Sequence, residues 1–261
     1  MNILVIGDII GKPGRRAVAD ILPRLKREHK LDMVIANGEN AAGGMGITPQ
    51  ITQELHSLGI DVITSGNHVW KHKEIYETLD KDPRLLRPAN YPPLVPGKGS
   101  CIFSIGKEEK VGVLNLMGRV FLAELDCPFR KADEEIEKLS RKTKIIIVDI
   151  HGEITSEKTA MGWYLDGRVS AVVGTHTHIP TADERVLPKG TAYITDLGMV
   201  GSLNSVIGIK TEIALKRFLS QIPIRFEVEK KNIYLQGAII TVDNKTGKAE
   251  GIRRIQEKVG K

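Results

Sequence analysis

The sequence predicts an α/β protein built from two facing sheets covered by helices. Apolar, β-branched runs alternate with helical patterns over roughly the first eighty residues, as βαβ units do. Strand-like runs dominate the second half. Aromatic residues make up only 5% of the chain, so an aliphatic core of Ile, Val, Leu and Ala is expected between the layers.

The elements follow in order. Ile3–Ile6 reads as a buried strand. Arg15–Lys30 reads as a helix, because Val18, Ile21, Leu22 and Leu25 form an apolar stripe at helical spacing. Met33–Ala36 is the next strand. Thr48 caps a helix that has Pro49 at its first position and Gly59 at its end. Strand Val62–Thr64 and a helix over Lys73–Leu79 complete the first half. Pro88 to Pro96 reads as a rigid loop inside one domain. Strands at Cys101–Ile105 and Val111–Leu116 flank a charged turn, Gly106–Lys110. Asp133–Arg141 reads as a helix, Ile145–Ile150 and Val169–Val173 as buried strands, Tyr193–Thr195 and Gly237–Val242 as further strands, and Lys210–Leu219 as a late helix.

With 261 residues the chain can bury one large core. Its net charge of +6 comes from Lys and Arg spread along the chain and mixed with Glu, as on a solvated surface whose mild positive field attracts phosphate-bearing substrates. No RNA-binding motif or aromatic-studded basic stretch is present, so RNA as a partner has no motif behind it. No apolar run reaches the length of a membrane span. Cys101 and Cys127 form no metal-binding pair and read as thiols in a reducing compartment. Met1 leads straight into a strand without the charged and apolar regions of a signal peptide, so the cytoplasm is the expected compartment. A homo-oligomer is left open. His29 and His56 lie in helices and read as surface residues. Gly7–Lys12 is one residue short of a P-loop, and Pro13 stands where Ser or Thr belongs, so that reading is rejected.

The chemistry is concentrated at strand ends. Asp8 follows the first strand, Glu39 and Asn40 the second, Asn67 and His68 the third, His151 the run Ile145–Ile150, and His176 and His178 the run that ends at Gly174. Each alone has a bland reading as a turn residue, a cap or a satisfied imidazole. Independent turn chemistry would not place them all after separate buried strands, and open α/β sheets bind ligands at the carboxyl ends of their strands. The set therefore predicts one assembled metal site. The period-two spacing of His176 and His178 puts both on one side of an extended segment. Carboxylate, amide and imidazole donors without thiolate suit Mn, Fe, Co or Zn. A carboxylate can bridge two ions, and Glu39, lying among neutral donors, is the bridging candidate.

Gly7-Asp8, Gly38-Glu39-Asn40, Gly66-Asn67-His68, His151 and Gly174-Thr175-His176-Thr177-His178 together resemble the calcineurin-like metallophosphoesterases. The runs Met1–Gly11, Asn37–Gly44, Gly66–Trp70 and Thr195–Met199 resemble the YmdB-like branch, described as 2′,3′-cyclic-nucleotide 2′-phosphodiesterases. The resemblance covers nearly the whole chain. It implies a single metallophosphoesterase domain over residues 1–261, folded as a four-layer αββα sandwich. It also implies a dinuclear centre of divalent or trivalent transition-metal ions, iron first and Mn or Zn as alternatives. Asp8, Glu39, Asn40 and His178 would hold the first ion, and Glu39, Asn67, His151 and His176 the second. His68 would be the acid that protonates the leaving group. The implied activity is in-line attack of a metal-bridging hydroxide on a small nucleotide phosphodiester.

Two positions depart from the superfamily. Position 10 is Ile where a His ligand is usual, and Asn40 is the candidate replacement. Position 69 is Val where an acidic residue usually orients the catalytic His, and the sequence names no substitute. A phosphomonoesterase or nuclease on the same site remains an alternative, as does a regulatory or RNA-associated binding protein with structural metals. The spare His68 speaks against the last, because structural sites are closed and need no acid.

Overall fold

A computed structural model of the chain describes every residue except Lys107 and Lys261. The first half is β1 (Asn2–Ile6), a two-residue β2 (Asp8–Ile9), α1 (Gly11–Glu28), β3 (Met33–Asn37), α2 (Pro49–Ser57), β4 (Val62–Thr64) and α3 (Ile75–Lys81). β1 and β3 pair in parallel with Ile3 opposite Met33, and β3 and β4 with Ile35 opposite Val62. α2 begins as expected: the Thr48 hydroxyl accepts from the Ile51 N–H at 3.3 Å, and Pro49 occupies the first turn.

The second half is β5 (Ser100–Ile105), β6 (Glu109–Met117), α4 (Pro128–Ser140), β7 (Ile145–His151), α5 (Thr155–Leu165), β8 (Ala171–Thr175), β9 (Arg185–Val186), β10 (Ala192–Ile194), β11 (Met199–Ser202), α6 (Thr211–Ser220), β12 (Ile233–Val242) and β13 (Ala249–Lys258). One sheet runs β2-β11-β12-β1-β3-β4, with β13 also paired to β12. The other runs β5-β6-β7-β8-β10-β9.

Alternation along the strands defines the layers. Ile3 and Val5 of β1 and Ile35 of β3 face Val113, Ile147 and Val173 of the other sheet in one aliphatic core. Leu4, Ile6 and Val34 point the other way, onto Val18, Leu22 and Leu25 of α1. Leu114, Val148 and Val172 turn outward onto Ile136 of α4 and Met161 of α5. Helices therefore cover both outer faces of two mixed sheets, the αββα order the sequence resemblance implies.

Several boundaries move and several elements are new. α1 starts four residues before Arg15 and α4 starts at Pro128, five before Asp133. β8 is shifted to Ala171–Thr175. α5 was not expected, because its buried face includes Lys158 and Gly162 beside Met161 and Leu165, which breaks any apolar stripe. β13 was not expected either: it is a charged strand that, among the described residues, pairs only with β12, as edge strands commonly do. His56 is not a surface residue. Its Nδ1 meets the Ile60 carbonyl at 2.8 Å and its Nε2 lies 3.1 Å from the Asp82 carboxylate. The predicted turn at 106–110 includes Lys107, which lies outside the described residues. Both cysteines are free. Among the described residues no helix is long and apolar enough to cross a membrane.

Candidate metal centre

The parallel strands β1, β3, β4, β7 and β8 all present their carboxyl ends to one edge of the sandwich, three from one sheet and two from the other. Asp8, Glu39, Asn40 and His151 are fully buried there, and His176 and His178 are partly buried. Gly66 is required by this crowding. A Cβ on it would lie 2.2 Å from the His151 ring and 2.5 Å from a Glu39 oxygen.

Four electron-pair donors converge on one point. His151 Nε2 lies 3.1 Å from Glu39 Oε1, 3.0 Å from Asn67 Oδ1 and 3.0 Å from His176 Nδ1. Ligand atoms each about 2.1 Å from a common ion sit roughly 3.0–3.4 Å apart. Glu39, His151 and His176 thus form a candidate metal-binding group, its ligand atoms all within 4.8 Å of one another. His151 is prepared for this role by its other nitrogen. Nδ1 faces the Thr175 hydroxyl at 3.0 Å, and that hydroxyl donates to Asp149 Oδ1 at 2.8 Å. Thr175 therefore accepts from Nδ1–H and leaves Nε2 as the candidate ligand atom.

Around the neighbouring point stand Asp8, Asn40 and His178. Asp8 Oδ1 is 3.7 Å from His178 Nε2, and His178 Nδ1 donates to the Ile207 carbonyl at 2.9 Å. The Asn40 amide sits between them, its Nδ2 3.5 Å from Asp8 Oδ1, 3.4 Å from Glu39 Oε1 and 3.2 Å from His178 Nε2. Its Oδ1 faces His68 Nδ1 at 2.8 Å. Ligation through the Asn40 oxygen would require this amide to turn over, an exchange of two nearly equal-sized groups. Glu39 Oε1 is common to both clusters.

His68 stands beside the donors rather than among them. Its backbone N–H donates to Glu39 Oε2 at 3.0 Å, and its ring reaches Asn40 Oδ1. Asn40, with Glu39 Oε1 at 3.4 Å, occupies the orienting position left open by Val69.

The buried groups shift one another's protonation. Burial pushes Asp8 above the usual carboxylate range. Burial also works to raise Glu39, but the adjacent His151 charge outweighs it and holds Glu39 well below the usual range. Burial works against a charged His151, yet Glu39 carries that ring up to about 9. Burial and then the His151 charge push His176 down to about 3. The buried cluster thus favours a charged Glu39–His151 pair beside a neutral His176.

His176 and His178 do not extend β8 as a strand. Their φ values are +100° and +65°, an unusual conformation for residues with a side chain. His176 turns to His151 and His178 to Asp8, so each joins a different cluster. The loop is held by Asp196, which accepts from the Thr177 N–H and hydroxyl at 3.1 and 2.7 Å and from the buried Lys158 ammonium at 2.8 Å.

The YmdB-like protein family matches residues 4–255. The chain belongs to the YmdB-like family. It is 51% identical over 256 residues to the 2′,3′-cyclic-nucleotide 2′-phosphodiesterase of Bacillus subtilis (strain 168), covering 98% of this chain and 96% of that protein. A crystal structure of a phosphatase from Mycoplasma pneumoniae superposes with a TM-score of 0.92 at 36% identity, covering 99% of this chain and 93% of the other. A protein of Thermus thermophilus superposes with the same TM-score at 41% identity, covering 99% of each chain.

In this YmdB-like chain all eight residues singled out from the sequence lie at the one edge. Sequence reasoning gave no supporting role to Asp149, Thr175, Lys158, Asp196 and Ile207, although Thr175 and Asp196 lie in the runs that carry the resemblance. The charge of Asp149 inside the apolar run Ile145–Ile150 was a further available signal.

Proposed function

We propose that this chain is a metal-dependent phosphodiesterase of one domain. It opens small cyclic nucleotides, and 2′,3′-cyclic nucleotides at the 2′ oxygen, at a two-ion centre held by Asp8, Glu39, Asn40, Asn67, His151, His176 and His178. The observation that carries this reading is Glu39. Its Oε1 belongs to both donor clusters, and its Oε2 fixes the backbone of a histidine that is not needed as a ligand. The name of the Bacillus subtilis relative supports the substrate, and the absence of thiolate donors supports iron or manganese.

Two bound ions would supply a low-pKa water and a clamp on the phosphate oxygens. The chain's residues do the rest. With Asn40 turned so that its oxygen faces the ions, its Nδ2 would donate to His68 Nδ1 and leave the ring proton on Nε2, which points outward on a ring that is partly exposed. From there it delivers a proton to the departing 2′ oxygen as water adds to phosphorus and the P–O2′ bond breaks. The phosphate stays on the 3′ oxygen. Asp8 and Glu39 cancel two of the four charges that two divalent ions bring. A diester monoanion and the attacking hydroxide match what remains, whereas a monoester dianion exceeds it.

Chromatography of the product from 2′,3′-cyclic AMP tests the reading: a 3′-phosphate is expected. Inert cyclic and linear diesters with rapid turnover of aryl monoesters would make the protein a phosphatase instead. His68→Ala should lose roughly two to four orders of magnitude in rate on cyclic substrates while keeping its metal. The loss should shrink on bis-aryl diesters, whose leaving groups need no proton.

A further inference from the structure

Two strand ends of one sheet meet beside the candidate centre. β7 ends at His151 and passes through Gly152 to Glu153, while β8 ends at Thr175 and passes to His176. The Thr175 carbonyl ties the two ends together. It accepts from the Gly152 N–H and from the buried Lys158 ammonium, each at 3.3 Å. Glu153 and His176 therefore leave their strands side by side, and the Glu153 carboxylate reaches His176 Nε2 at 2.9 Å. That nitrogen is the one His176 does not turn to His151.

The ring orientation is fixed from both sides. Nδ1 lies 3.0 Å from His151 Nε2, and Nε2 lies 2.9 Å from Glu153 Oε2. Turning the ring over would put carbon at both positions and lose both contacts. A neutral imidazole carries one N–H, and an ionised carboxylate can only accept. The proton therefore sits on Nε2 and points at Glu153. The lone pair sits on Nδ1 and points to where His151 Nε2, Glu39 Oε1 and Asn67 Oδ1 converge. The His176 backbone has a separate anchor, since its N–H donates to Asp8 Oδ2 at 3.1 Å. Asp8 thus sets where the residue starts, and Glu153 sets which nitrogen faces the donors.

We propose that Glu153 is a positioning residue for the second ion: it holds His176 as the Nε2–H tautomer and so commits Nδ1 to the metal. This role rests on the two-ion reading given above. An ionised acceptor holds an N–H more strongly than a neutral one and makes the opposite nitrogen a better donor. The Glu153 side chain is 49% exposed, and solvent offsets part of that gain. Among the described residues Glu153 makes no hydrogen bond or ion pair to Asp8, Asn40 or His178, so the first ion is held without it.

Glu153→Leu and Glu153→Gln in the full chain test it, with two readouts besides turnover. Long-range proton–nitrogen correlation spectra of metal-free protein near neutral pH read the tautomer of His176. Wild type should show Nε2–H alone, and Glu153→Leu a mixture. Competition of Mn²⁺ against a chromophoric chelator reads the two ions. Loss of a group that orients a metal-binding histidine costs about 10- to 100-fold in affinity, and exposure places this one at the lower end. Glu153→Leu should therefore bind one ion about tenfold more weakly and leave the other within about twofold. Glu153→Gln, whose amide oxygen still accepts, should recover most of the loss. The site is exposed, so circular dichroism should not change. A Glu153→Leu protein that keeps the wild-type tautomer, binds both ions as wild type does, or weakens both equally would overturn the role of Glu153 and leave the two-ion centre standing. Wild type that binds no metal would overturn the two-ion reading itself, and the role of Glu153 with it.

Discussion

Thr175 makes no claim to be a ligand, yet it decides which nitrogen of His151 carries a proton. Its hydroxyl has one hydrogen, which it donates to Asp149 at 2.8 Å, so toward His151 Nδ1 at 3.0 Å it can only accept. Thr175→Val keeps the shape and removes that acceptor. The remaining neighbour of Nδ1 is Asn37 Nδ2 at 3.4 Å, a donor, which favours the opposite tautomer and points Nε2–H into the donor cluster. Losses of such supporting groups typically weaken metal binding about 10- to 100-fold, or about 1.4–2.7 kcal/mol. Asp149 keeps the Thr64 hydroxyl at 2.5 Å but loses its other donor, so the metal-free fold should also lose about 1–3 kcal/mol. Competition of Mn²⁺ or Zn²⁺ against a chromophoric chelator reads the affinity, and urea unfolding in chelator reads the stability. Thr175→Ser, which retains the hydroxyl, should stay within a few-fold of wild type. A folded Thr175→Val protein with wild-type metal affinity would refute the reasoning.

Two further outcomes follow from the same geometry. Glu39→Ala should lose both ions or hold them only weakly, because Oε1 serves both clusters, whereas Asn67→Ala should mainly weaken one; metal analysis after dialysis separates the two, and equal mild effects would count against a shared Glu39. Metal uptake by stripped protein should also depend on pH through His151: the ring is raised to about 9, so its proton competes with the ion below that pH and apparent affinity should climb about tenfold per unit from pH 7 to 9, then level off. The same raised value stabilises the metal-free fold fully below the ring's ordinary 6.5, and that contribution is lost as pH rises through about 9; a stability profile in chelator checks the sign.

The site was legible because ligand-bearing residues follow strands that read as apolar runs, and parallel strands deliver their carboxyl ends to one edge. Asp8, Glu39, Asn67 and His151 needed nothing more. His176 and His178 were found by spacing, but their positive φ values, on either side of a Thr177 that the Asp196 and Lys158 network holds, send them to different clusters. That network was hidden because α5 buries a lysine and a glycine where an apolar stripe would announce a helix. The orienting partner of His68 was invisible for another reason. Asn40 lies 28 residues away in sequence and meets the ring only through the tertiary fold.

Elemental analysis of gently purified wild-type protein, paired with bis-aryl phosphate diester turnover before and after chelation, tests the central claim most directly. The geometry predicts about two transition-metal ions per chain, loss of turnover when they are stripped and recovery when Mn²⁺ or Fe²⁺ is returned. Metal-free protein with full turnover in chelator would contradict it.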